Sequence, residues 1–362
     1  MIYRNKTRRF LFPALLLALV LFSNLPFTSS ASAPPAASLL LPPPGGVVAW
    51  GNNDFGQLNI PAGLDDVVAI SAGEFQSLAL RSDGTVVGWG DNTFGQATPP
   101  AGLTTVVAIA AGGVHGLALK SDGTVVAWGG FNQEAIPPAG LTGVTAISAG
   151  WDHSLALKSD GTVVGWGVNS DGQVTPPAGL SGVIAIDAGN YYNLALKSDG
   201  TVVAWGNNFS GQTSTPAGLS GVTGISAGGL VIFDGAHSLA LKSDDTVVGW
   251  GLNNLGQATP PAGLTDVVAI SAGGQHSLAL KADGTVVGWG DNTFGQTTPP
   301  ARLRNVLAIS AGSQHSLALR ALSRPTNRDQ CKNEGWQTFN NPSFNNQGEC
   351  VSFVNRMNHG NN

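Results

Sequence analysis

The chain has 362 residues, of which 50 are glycine, 42% are hydrophobic and 11% are charged, with a formal net charge of −5. Glycine at about twice its usual ~7% excludes coiled coils and long helical arrays, and the apolar content excludes disorder over the whole chain. A turn-rich all-β protein is left.

Residues 1–31 carry the three-part pattern of a secretory signal. Arg4, Lys6, Arg8 and Arg9 precede an apolar run from Phe10 to Phe22, which ends in small residues around Ser29 to Ala33. The run is shorter than the ~20 residues of a spanning helix, so cleavage after Ala31 and a secreted, extracellular product are expected, with no membrane attachment afterwards. Removing those four cations takes the net charge from −5 to −9. Neutralising phosphates needs a basic face, so no nucleic-acid partner is expected. A Pro/Ala-rich linker, 32–44, follows.

Tryptophan then sets a period. Trp50, Trp89, Trp128, Trp166, Trp205, Trp250 and Trp289 are each followed by glycine, at spacings close to 39 residues, the range of propeller blades. Each unit reads as four short strands, for example 267–273, 276–281, 285–290 and a segment around 295–300, separated by Gly and Pro. Asp-Gly between the second and third strands, as at Asp83-Gly84, predicts a two-residue type I′ hairpin; Asp244-Asp245 breaks that rule and predicts a strained or looser turn. Small side chains place the Ala-Ile-Ser-Ala-Gly strand innermost. Pro-Pro pairs such as Pro99-Pro100 fall on an outermost, edge-blunting strand. The repeats open on a Trp-Gly strand (47–51) and close on a Ser-Leu-Ala-Leu strand (316–319), which predicts one composite blade from both ends of 45–320, with Gly45-Gly46 standing where Asp-Gly stands elsewhere. The expected fold is all-β, a seven-bladed propeller of four-stranded blades.

The segments WGNNDFGQ (50–57), VVAISAG, HSLAL and SDGTVV together resemble the repeat of the regulator of chromosome condensation family. The resemblance implies a seven-bladed propeller. It is closest in style to secreted bacterial members, which include an inhibitor of class A β-lactamases. The eukaryotic members imply nucleotide exchange on a small GTPase.

A polar linker (321–330) leads to a tail module, 331–362, with the only two cysteines, Cys331 and Cys350. An even pair in an exported chain is read as a disulfide. Two cysteines and the distant His359 do not make a zinc site, and no metal or other cofactor is expected.

The tryptophans, and the recurring His115, His153, His237, His276 and His315 with Gln76 and Tyr192 at the same repeat position, read as buried structural residues. Nucleophile, zinc-protease and phosphate-loop motifs are absent, so an enzyme is not expected. Strand direction puts the loop after Ala-Gly and the loop after Trp-Gly on one face, and the Asp-Gly turns on the other. The first face varies between repeats as binding loops do. It carries Glu74, Phe75, Val114, Trp151, Asp152, Asn190, Tyr191 and a six-residue extension that brings Leu230, Val231, Ile232, Phe233 and Asp234. Aromatic anchors with scattered acids describe a protein-binding surface. Phe55, Phe94, Phe131, Phe209 and Phe294 in the Trp-Gly loops read as local packing. The sequence therefore points to a monomeric, secreted, non-enzymatic propeller that captures an extracellular protein, an inhibitor of an enzyme such as a class A β-lactamase being the specific form. Cell-wall or glycan adhesion and GTPase exchange are the alternatives.

Overall fold

A computed structural model describes residues 44–131, 136–229, 235–322, 328–332 and 345–359. The expected signal, and the loop residues Leu230, Val231, Ile232, Phe233 and Asp234, lie outside the described residues.

Among the described residues, twenty-one strands follow one another with no helix between them until the tail. They are β1 (Gly45–Gly51), β2 (Val67–Ala72), β3 (Gln76–Arg81), β4 (Val86–Gly90), β5 (Val106–Ala111), β6 (His115–Lys120), β7 (Val125–Gly129), β8 (Val144–Ala149), β9 (His153–Lys158), β10 (Val163–Gly167) and β11 (Val183–Ala188). The rest are β12 (Tyr192–Lys197), β13 (Val202–Gly206), β14 (Val222–Ala227), β15 (His237–Lys242), β16 (Val247–Gly251), β17 (Val267–Ala272), β18 (His276–Lys281), β19 (Val286–Gly290), β20 (Val306–Ala311) and β21 (His315–Ala321). From β2 onward they form antiparallel three-stranded blades, β2-β3-β4 through β17-β18-β19. β1 pairs with β21 over its full seven residues, Gly45 opposite Ala321 and Gly51 opposite His315. Gly45 and Gly46 are thus strand residues, not a turn, and a Cβ at Gly45 would collide with the Arg320 carbonyl.

The blades have three strands, not four. The Pro-Pro segments run without ladder bonds among the described residues, because paired prolines remove the donors a strand would need. They stay close by another route: a Cβ on Gly88 would overlap the backbone of Ala97, and Gly288 meets Thr297 in the same way.

The Asp-Gly turns also differ from expectation. Gly84 alone has a positive φ, +81°, with Gly84 N–H bonded to Arg81 C=O and Arg81 N–H to Thr85 C=O. That is a type I turn followed by a left-handed glycine, the three-residue hairpin. Asp83 fixes it by accepting from both the backbone and the hydroxyl of Thr85. Asp245 keeps the same turn at φ +62°, strained rather than loosened.

Inner strands lie side by side, β2 against β5, onward to β17 against β20, and β20 against β2. One hydrogen bond recurs between them: the second-last residue of one inner strand accepts from the last N–H of the next, as Ser71 Oγ from Ala111 and Ser310 Oγ from Ala72, both 2.9 Å. Leu and Ala of the middle strands, such as Leu78, Ala79 and Leu80, are fully buried between blades. The seven tryptophans of the Trp-Gly strands are 6–7% exposed. The indole N–H groups of Trp50, Trp89, Trp128, Trp205, Trp250 and Trp289 each donate to the glutamine carbonyl of the preceding blade, as Trp89 to Gln57 at 2.8 Å and Trp50 to Gln296 at 2.8 Å.

The histidines form a second inter-blade set. His115 Nε2 meets Ser154, His153 meets Asn193, His237 meets Ser277, His276 meets Ser316 and His315 meets Ser77, all between 2.7 and 3.0 Å. One blade has Gly116 where the others place that polar side chain, since the Trp128 ring fills the space of its Cβ. Its predecessor accordingly carries Gln76, which reaches the Gly112 carbonyl instead. Tyr192 substitutes for histidine in one blade, its hydroxyl donating to His237 C=O at 2.6 Å and accepting from Ser238 Oγ at 3.0 Å. Burial lowers these imidazoles to about 3, or about 4 for His153, so all five are neutral.

In the tail, Cys331 and Cys350 are bonded and fully buried with Val354, and Cys350 belongs to the helix α1 (Gln347–His359). No helix among the described residues is long and apolar enough to cross a membrane.

Candidate functional site

The loops after the inner strands and those after the Trp-Gly strands share one face. Backbone bonds tie them together, Asp91 N–H to Phe75 C=O at 2.9 Å and Asn207 N–H to Tyr191 C=O at 2.9 Å. The rings of the two loop sets then meet. Phe55 packs on Phe75 at 4.6 Å between centroids, and Phe94 on Phe131 at 3.8 Å. Phe131 reaches Trp151 at 6.3 Å, and Trp151 meets Tyr191 edge-on at 5.8 Å. The Trp-Gly-loop phenylalanines expected to be local packing therefore extend the aromatic surface. Phe55 and Phe131 remain 50% exposed and Phe209 83%.

The nominated residues separate into three groups. Phe75, Trp151 and Tyr191 lie in the aromatic run, partly buried. Glu74, Trp151 and Asn190 line the mouth of a central opening. Val114 and Asp152 are only 5% and 7% exposed and offer little contact area.

The first residues of these loops surround the mouth, each N–H bonded to a carbonyl of the next blade: Glu74 to Gly112, Gly113 to Gly150, Trp151 to Asn190 and Ser313 to Gly73. Gly113 has a steric purpose, since a Cβ there would collide with the Trp151 indole. That indole reaches across the Gly113 blade toward the Glu74 carboxyl; burial pushes the Glu74 pKa up to about 7, and the indole partly offsets the rise. Ser313, which sequence reasoning passed over, also lines the mouth. It is 5% exposed and its hydroxyl has no hydrogen-bond partner.

Beneath the mouth lies a bore of about 220 Å³ lined by Ala and Ser of the inner strands. Asp187 stands there where five other blades have serine. Its Oδ1 accepts from Ser148 Oγ at 3.0 Å and its Oδ2 from Ala227 N–H at 2.8 Å, while burial raises it to about 6. The described residues hold no group of three His, Cys, Asp or Glu side chains able to hold a metal.

The Regulator of chromosome condensation (RCC1) repeat matches residues 67–96, 106–134, 144–173, 183–212, 235–257 and 267–296. The chain belongs to the regulator of chromosome condensation repeat family. Among solved structures it resembles Prp20p of Saccharomyces cerevisiae, whose report describes binding to Gsp1p and histones. That likeness has 19% identity and a TM-score of 0.67, over 78% of this chain and 93% of that one. Yeast RCC1 (Prp20) bound to Kap60 aligns with TM-score 0.69 at 19% identity, over 83% and 97% of the two chains. Human WBSCR16 aligns with TM-score 0.60 at 20% identity, over 76% and 99%. At these identities the likeness shows the fold. No curated protein matches by sequence.

Proposed function

We propose that this chain is a secreted, non-catalytic protein-binding propeller, a ring of seven blades closed where β1 joins β20 and β21. The observation that carries the reading is the aromatic run through Phe55 and Phe75, and through Phe94, Phe131, Trp151 and Tyr191, on a single face of a rigid scaffold. Rings held in place by neighbouring rings lose little entropy on binding, and aromatic anchors dominate protein interfaces. The test immobilises the purified chain and exposes it to secreted proteins from its own source. Replacing Phe75, Trp151 and Tyr191 together with alanine should abolish retention while leaving the melt nearly unchanged; undiminished retention would remove the reading. The inhibitor form is tested by adding the protein to class A β-lactamases and following turnover. Family membership favours nucleotide exchange as a second reading, which predicts faster nucleotide release from a small GTPase and a cytosolic location.

A further inference from the structure

The mouth carries more chemistry than the aromatic surface around it requires. It has a volume of about 80 Å³ and is walled almost entirely by alanine and glycine. Among the described residues lining the mouth and the bore, the only charged types are two acids, Glu74 and Asp187. One Glu74 contact is already used, by the Trp151 indole. Glu74 lines an opening whose wall also includes Ser313, whose hydroxyl is buried and has no hydrogen-bond partner. The two are brought together by the bond from Ser313 N–H to Gly73 C=O, next to Glu74.

A carboxylate and an unpartnered hydroxyl in the wall of one small opening make a cation subsite. We propose that the mouth takes a single alkylammonium group, presented as a lysine side chain by the protein that the aromatic face captures. Lysine fits better than arginine on two grounds. An ammonium is a compact point charge on a slender stem, suited to a tubular opening. A guanidinium seeks a bidentate carboxylate, and the indole already holds part of this one. The elevated Glu74 pKa agrees with a carboxylate that lacks its cation. Asp187 deeper in the bore adds to the negative field.

The proposal rests on the protein-binding reading for the source of the ammonium, and two experiments keep them apart. In the first, the full-length chain is titrated with pentylammonium chloride while the Trp151 indole N–H is followed by NMR. The resonance should move saturably, and pentan-1-ol should leave it in place. Glu74→Gln, which keeps an acceptor for the indole, should weaken the response roughly tenfold or more, and Ser313→Ala should weaken it by a smaller factor. No saturable shift, an equal shift with the alcohol, or undiminished affinity in Glu74→Gln would overturn the site. In the second, secreted proteins are acetylated at lysine before exposure to the immobilised chain. Acetylation should abolish retention; retention that survives it overturns the lysine assignment. If pentylammonium binds but no protein is retained, the protein-capture reading falls and takes the lysine source with it, while the ammonium site stands.

Discussion

Asp187→Ser places at the odd position of the bore the residue that stands at 71, 148, 226, 271 and 310. Serine at each of those positions accepts the N–H of the next inner strand, so the variant retains the acceptor for Ala227. What it removes is a carboxylate that burial raises from 3.8 to about 6. The folded state holds that proton over a pH range in which the unfolded chain has lost it. Stability is therefore lost as pH rises from the unfolded value through the folded one. At about pH 8 the full penalty is about 3 kcal/mol, and about half of it is already present near pH 5. Losing the bond from Ser148 costs about 1 kcal/mol at either pH. Urea unfolding of both proteins at about pH 5 and pH 8 should show the variant's advantage growing by roughly 1.5 kcal/mol between them. A difference that stays constant or shrinks would refute the burial argument.

Three further outcomes are expected. Unfolding near pH 5 should take up about three protons. The five buried histidines, with pKa values depressed to about 3 or 4, gain charge only when exposed, while Glu74 and Asp187 each release a proton that the fold retained. Stability therefore rises with pH there, and a potentiometric or urea-slope measurement checks the count. Asp245→Gly relieves a left-handed aspartate at φ +62°; the relief of ~1–2 kcal/mol, less the added freedom of the unfolded glycine, predicts a gain of about 0.5–1 kcal/mol in urea unfolding. Deleting residues 47–60 removes most of the β1–β21 pairing and the Trp50 bond to Gln296. It should abolish the cooperative melt rather than trim one blade, and calorimetry reads the difference.

The blades were legible because their causes are local and repeated. The Trp-Gly spacing, the alternating Val and Leu positions and the small Ala-Ile-Ser-Ala strand each forced one placement, and the inner, middle and outer strands lie accordingly. The fourth strand expected at segments such as Pro99-Pro100 does not form, since proline supplies no N–H to a ladder. The turn type escaped because Asp-Gly serves both a type I′ turn and the αL end of a three-residue loop, and only the bond from Arg81 to Thr85 separates them. For the site, Phe75, Trp151 and Tyr191 could be nominated from loop variability. The approach of Trp151 to Glu74 could not, because it crosses an intervening blade and depends on glycine at 113. Ser313 gave a faint signal, as the only serine among the first loop residues 74, 113, 151, 190, 229, 274 and 313.

The pairing of Gly45 with Ala321 has a geometric consequence. β1 runs from the rim of the Asp-Gly hairpins toward the aromatic rim, and β21 runs back along it, so the chain enters and leaves the propeller side by side at the rim away from the rings. A fusion or a surface linker joined at either point starts its path facing away from Phe75, Trp151 and Tyr191. Handles can thus be exchanged at both ends while the aromatic rim is left free to meet another molecule.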